Sequence, residues 1–343
     1  MKKKLVYSIF ALAFLISAFL MFFYGQQTFY VKKETSTTEP KYDYHFVLIP
    51  EEEDNEYWRQ VEKGARDAAE KQGVYLEYIG PKRANLNDHV RVFDKEIAGK
   101  VDGIMVQGLS NEAFTPLINK AVEKGTSIIT IDTDLPESRR DVYVGTDNYM
   151  AGFMAGKAFI EDTKGEQMVG IVIGRNDAIH QQLRVEGFKE AVKNELRIKI
   201  VGMKESNISK TGAVQATYDL LKENPNITAF YGTSALDGVG IAQVIRTMRP
   251  YSDPYVITFD TLPETIQLLE AEEIDAIVVQ HPYEMGYTAV NMLVEIKKGN
   301  HPEKIQHTPT SIIRKNDLNQ FLQEHIQENN KQKEFSGYEV NPE

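Results

Sequence analysis

GIMVQGLSNEAFTPLINKAVEKGTSIITIDTD, residues 103–134, is the stretch from which the fold can be read. It opens on a short apolar run, Gly103–Val106, too brief for a helix. Phe114, Leu117, Ile118 and Ala121 then recur at helical spacing, and Gly125 ends that pattern. A second apolar run follows, Ser127–Ile131, and directly after it stand Asp132, Thr133 and Asp134. Strand, amphipathic helix, strand is the unit of a parallel sheet, and strands apolar on both faces belong inside such a sheet.

The rhythm continues outward in both directions. Apolar runs occupy 46–49, 74–79, 168–173, 198–201, 228–231, 255–259 and 276–279. A helical stripe of Trp58, Val61, Ala65 and Ala68 is ended by Gly73. So many strands exceed one small sheet and predict two doubly wound α/β lobes. The division is expected at Asp147-Asn148, before a helix rich in Ala151, Gly152, Ala155 and Gly156. The expected domains are 44–147 with 281–308 as one lobe, and 148–280 with 309–322 as the other. The polar segment 26–43 reads as a stalk, and 323–343 as a disordered tail.

The N-terminus is different in kind. Lys2-Lys3-Lys4 precedes Leu5–Tyr24, a stretch without charge. About 20 apolar residues span a bilayer, whereas a cleavable signal has an apolar region of about 7–15. Residues 1–25 are therefore expected to form an uncleaved membrane anchor rather than a signal, with the lysines inside and the remainder outside the cytoplasm. The chain contains no cysteine, which excludes disulfides, thiolate zinc sites and thiol catalysis. Its net charge of −11 disfavours nucleic acid as a partner.

In parallel α/β sheets, ligands bind beyond the carboxyl ends of the strands. The residues there are Glu51, Glu52, Glu53, Asp54, Asn55, Tyr57 and Trp58 after the first run, Asp132, Thr133 and Asp134 after 127–131, Asp260 after 255–259 and Gln280 after 276–279, with Arg184 early in a helix. Carboxylates, an amide and a guanidinium suit vicinal hydroxyls, and aromatic faces suit the C–H side of a sugar ring. Each residue also has a plainer reading. Asp132 and Asp260 can serve as helix caps, Trp58 as core, Gln280 as a helix opener, and Arg184 as a partner of Glu186 or Asp177. The run Glu51–Asp54 reads as a solvated acidic segment, and His180 and His281 lack metal-ligand spacing. No nucleophile elbow, dinucleotide fingerprint or phosphate loop is present, so neither an enzyme nor a cofactor or metal is expected.

From about Tyr44 to Asp317 the chain resembles the type I periplasmic binding proteins of the ribose- and galactose-binding family. The resemblance is carried by Asn55-Glu56-Tyr57-Trp58, Lys63-Gly64-Ala65, Ile129–Asp132, Gly145–Asn148, Arg184–Phe188, Phe259-Asp260 and Gln280-His281-Pro282. It implies a small sugar held between the lobes by Asp132, Arg184, Asp260 and Gln280. The chain departs from the ribose-binder pattern at Thr133-Asp134, at Ser234-Ala235, near Ile208 and at Glu51. Ribose itself is thereby disfavoured, with Ser234 kept as a ligand residue. Two outputs fit such a protein: presentation of the sugar to a membrane sensor histidine kinase, which the anchor favours, or delivery to an ABC permease. A lactose-type repressor is disfavoured, because an apolar stretch stands where its DNA-binding helices would be.

Overall fold

The computed structural model describes residues 2–29, 42–248 and 254–323. The expected tail lies outside the described residues, apart from residue 323, as does most of the stalk. Helix α1, Lys2–Phe29, belongs to a compact unit of its own, 1–42, and runs four residues past the expected end of the anchor. Among the described residues, no helix is long and apolar enough to cross a membrane.

Residues 43–343 form the second unit. Its first half runs β1 Tyr44–Ile49, α2 Glu56–Gln72, β2 Val74–Tyr78, α3 Leu86–Gly99, β3 Gly103–Val106, α4 Asn111–Glu123, β4 Ser127–Ile131 and β5 Val142–Gly145. The second half repeats the rhythm: α5 Asn148–Asp162, β6 Gln167–Ile173, α6 Ile179–Val192, β7 Ile198–Glu205, α7 Lys210–Glu223, β8 Ala229–Gly232, α8 Ala235–Met248, β9 Tyr255–Phe259, α9 Pro263–Glu270 and β10 Ala276–Val279. Then come α10 Pro282–Lys297, β11 Ile305–His307 and β12 Ser311–Arg314.

Two six-stranded sheets result, ordered β11-β5-β4-β3-β1-β2 and β12-β10-β9-β8-β6-β7. Ignoring the last strand to join each, the orders are the same, so β4 corresponds to β9, β3 to β8 and β1 to β6. All pairings are parallel except β10 with β12. The chain passes from one sheet to the other after β5, after β10 and between β11 and β12. The short β11 and β12, Ile-Gln-His and Ser-Ile-Ile-Arg, are absent from the apolar runs read in the sequence, since polar residues break up each of them.

Each sheet is covered on both faces, which is why its strands are apolar throughout. In the first lobe, α2 and α10 bury Trp58, Val61, Met285 and Leu293 against one face. Phe93 of α3 and Phe114 of α4 pack on the other. The second lobe buries Phe159 and Phe188 on one face, and Leu220 and Ile241 on the other. Crossing helices approach closely at paired glycines. A methyl group on Gly64 would overlap the Tyr283 carbonyl, and one on Gly286 the Val61 carbonyl. The other lobe repeats this device, with Gly187 against Tyr149 and Gly152 against Arg184. The helix that follows each main crossing, α5 or α10, is thus locked to α6 or α2, both of which carry cleft residues.

Candidate functional site

Asp132 directly follows β4, and Asp260 directly follows β9, the corresponding strand of the other lobe. Both have left-handed backbone, φ 66° and 69°. Asp tolerates this region better than most residues, but the conformation still carries strain, which concentrates at functional sites. Each is held by the same device: its N–H donates to the neighbouring strand, Asp132 to the Val144 carbonyl at 2.9 Å and Asp260 to the Val278 carbonyl at 3.0 Å.

Between these strand ends lies a small polar cavity of about 60 Å³. The first lobe contributes Glu51, Asn55, Tyr57, Trp58, Gln107 and Asp132; the second contributes His180, Gln181, Arg184, Ile208, Ser234, Ala235 and Asp260; Gln280 sits at a crossing.

The polar groups form a connected frame. Arg184 donates from Nε to Asn148 Oδ1 at 2.8 Å, from Nη1 to the Thr233 carbonyl at 2.8 Å and from Nη2 to Gln280 Oε1 at 2.9 Å. Its guanidinium lies 4.1 Å from the centroid of the Phe259 ring, so an otherwise unfavourable buried charge has three acceptors and an aromatic face. Gln280 Oε1 also accepts from Thr146 Oγ1 at 2.8 Å, and its Nε2 donates to Asp260 Oδ1 at 2.6 Å. On the opposite wall, Asp132 accepts from the Tyr57 hydroxyl at 2.6 Å and from Gln107 Nε2 at 2.7 Å.

Burial sets the protonation of the wall. It pushes Asp260 up to about 6, against the opposing pull of Arg184 and the Gln280 bond. It pushes Glu51 up to about 7 even beside Arg175, and it brings His180 down to about 4. Burial also raises Tyr57 well above the ordinary phenol value, reinforced by Asp132. Near neutral pH the cleft therefore presents a neutral imidazole and a neutral phenol, with Glu51 and Asp260 close to titration.

Eight of the expected residues line the cavity: Asn55, Tyr57, Trp58, Asp132, Arg184, Ser234, Asp260 and Gln280. Thr133 and Asp134 do not. Thr133 Oγ1 is taken up by Asp132 at 3.1 Å, by Gln107 at 3.2 Å and by the His180 ring at 2.8 Å, behind the wall. Asp134 turns away to a bidentate pair with Arg140, at 2.5 and 2.7 Å, and accepts from Thr130. Arg184 pairs with neither Glu186 nor Asp177; Asp177 is taken by Arg175. Asn55 caps α2 through the Tyr57 N–H as well as lining the cavity.

The acidic run Glu51–Asp54 divides. Glu53 and Asp54 pair with Lys82 and Arg59 near the surface, whereas Glu51 is buried in the wall and bonded to Arg175. The solvated reading therefore fails at Glu51, because β1 ends just two residues earlier and delivers it to the cleft. Gln107, which directly follows β3, obeys the same strand-end rule and was legible by it. His180 and Gln181 lie one turn before Arg184 on α6, and so on its face.

Comparison with known proteins enlarges this picture. A family model described as periplasmic binding protein domain matches residues 46–301. The D-allose-binding periplasmic protein of Escherichia coli (strain K12) is 26% identical over 254 residues, covering 71% of this chain and 81% of that protein. The crystal structure of GanP, a glucose-galactose binding protein from Geobacillus stearothermophilus, superposes with a TM-score of 0.79 at 53% identity, over 81% of this chain and 99% of that one. A chain of the XylFII-LytSN complex superposes with a TM-score of 0.76 at 34% identity, over 80% and 98%.

Proposed function

We propose, on the premise that the chain belongs to the periplasmic binding protein domain family and is a type I sugar-binding protein, that it receives an aldohexose of the glucose or galactose type and signals its presence to a membrane sensor histidine kinase. The family's fold is a binding fold rather than an enzyme, and its sugar-binding domain is extracytoplasmic.

The observation that carries the reading is the convergence of Asp132 and Asp260, from equivalent strand ends of two lobes, on one cavity that also holds Arg184, Gln280, Tyr57 and Trp58. Ring hydroxyls donate to the carboxylates, the Arg184 guanidinium and Gln280 amide hold the far wall, and Tyr57 and Trp58 cover the apolar face of the ring. Because the wall is drawn from both lobes, a bound sugar favours the closed form by differential contact. Asn55 and Ser234 complete the set at its two sides. The hexose class is supported by the 53% identity with GanP.

For the output, the similarity to a chain of the XylFII-LytSN complex supports a protein partner for the closed lobes. The uncharged stretch Leu5–Tyr24 lies within α1, with Phe14, Met21 and Phe22 exposed. As a retained anchor it would keep the binding unit near a membrane partner and raise its effective concentration there. Delivery to an ABC permease is the second reading, favoured by the similarity to ribose import binding proteins.

Calorimetric titration of the full chain in detergent micelles against a panel of monosaccharides tests the ligand. A deletion strain tests the output: loss of sugar-induced transcription with uptake intact supports the sensor, and loss of uptake with induction intact supports import.

A further inference from the structure

We infer that Gln107 is a specificity-determining residue of the cleft: its side-chain carbonyl oxygen receives one hydroxyl of the bound sugar and thereby reads the hydroxyl pattern. The inference rests on the sugar-binding reading above and deepens it.

Gln107 stands directly after β3, lines the cavity and is 2% exposed. Its orientation is fixed by what surrounds it. Asp132 Oδ2, 2.7 Å away, can only accept, so the NH2 end of the amide must face it; that same nitrogen lies 3.2 Å from Thr133 Oγ1. The carbonyl oxygen is left on the other side, buried, with no partner among the described residues. Buried polar atoms are nearly always paired, and one left unpaired bears its whole desolvation cost.

The other lobe also sets a polar side chain just past the matching strand end. Ser234 follows Gly232, the end of β8, by two residues, and β8 is the counterpart of β3. Ser234 is 4% exposed and lines the cavity, with its side chain beside the buried Asp237 carboxylate. The remaining polar groups of the wall hold one another: Tyr57 and Gln107 bind Asp132, while Arg184 and Asp260 bind Gln280. These groups engage one another, and Gln107 Oε1 is a buried acceptor whose hydrogen bonding a ligand completes. An amide oxygen accepts and cannot donate. It therefore requires a hydroxyl hydrogen at that place, and a deoxy carbon, a ring oxygen or a carboxylate leaves it bare.

The test is calorimetry of the full chain in detergent micelles with D-galactose, D-glucose and the 2-, 3-, 4- and 6-deoxy analogues of D-galactose, for the wild type and Gln107→Met. The wild type is expected to bind one deoxy analogue about 10- to 100-fold more weakly than D-galactose. Gln107→Met is expected to weaken D-galactose by a similar factor and to bind that same analogue as well as D-galactose, while the other analogues keep their penalties. An equal loss for every sugar would assign Gln107 to support of Asp132 and overturn the inference. Should Gln107→Met fail to fold, Gln107→Glu keeps a carbonyl acceptor and, protonated, the donation to Asp132. It must retain the wild-type discrimination, and its loss overturns the inference too. Wild-type binding of D-galactose with no analogue discriminated sinks this inference alone; no binding of either hexose sinks the sugar reading with it.

Discussion

Arg175, two residues past the end of β6, reaches across the cleft and donates from Nη1 to Glu51 Oε1 beyond the end of β1 at 2.7 Å, while Asp177 grips its other edge at 3.0 and 2.8 Å. The two residues come from corresponding strands of the two lobes, so the bond exists only while the lobes are together. With Thr133 and His180 at 2.8 Å, it ties the cleft walls independently of the three chain crossings.

Losing this bond should loosen the closed form. A hydrogen bond to a charged group contributes roughly 1.5–3 kcal/mol, so Arg175→Met is expected to weaken sugar binding about 10- to 100-fold. Small-angle scattering should show a wider sugar-free particle than the wild type. Unchanged affinity and unchanged dimensions would remove the latch from the account.

Asp260 should cost stability while serving binding. Burial raises its pKa from the ordinary carboxylate value of 3.8 to about 6, so the folded protein holds that proton more tightly than the unfolded chain does. The cost of ionising it is fully present above about pH 6 and disappears below the unfolded value near 4. Asp260→Asn keeps the acceptor for Gln280 and tolerates positive φ. It is therefore expected to melt higher than the wild type at pH 7.5, with the gain shrinking as pH falls from 6 toward 4. Thermal unfolding across that range decides it; a gain independent of pH would assign the effect elsewhere.

The architecture of this site was largely legible, because the rule for parallel sheets places function beyond the strand ends and those ends are marked by apolar runs. Asp132, Asp260 and Gln280 were found that way. The misassignments share a cause. Thr133 and Asp134 stand beside a cleft residue in the chain, but the left-handed turn at Asp132 sends the chain behind the wall, where Arg140 captures Asp134. Glu51 looked solvated because three acidic neighbours follow it, and its partner Arg175 lies 124 residues away in the sequence. No local pattern announces such a pair. The short β11 and β12 owe their place to sheet edges offered by β5 and β10 rather than to an apolar run of their own.

The glycine crossings should be intolerant of even one methyl group. Gly187→Ala would press on the Tyr149 carbonyl and push α5 from α6. Overpacking of this kind costs about 1–3 kcal/mol, and α6 carries Arg184, so both melting temperature and sugar affinity are expected to fall. A variant with wild-type melting would contradict the packing argument.

Trp58 is the sole tryptophan, lies 3% exposed in the wall and meets the Tyr57 ring edge-on with centroids 5.8 Å apart. Saturating sugar is expected to change its emission, and Trp58→Phe to abolish the signal. A bound hexose that leaves the spectrum untouched would return Trp58 to a purely packing role.

The central claim is that two strand-end aspartates from separate lobes grip one sugar. Titrating D-galactose and D-glucose into the full chain at pH 7.5, for the wild type and Asp260→Asn, tests it most directly. The account predicts saturable binding of at least one hexose with one site per chain. It also predicts a loss of about tenfold or more in the variant, whose fold is intact by its melting curve. Equal affinity in the two proteins, or no heat with either sugar, would contradict it.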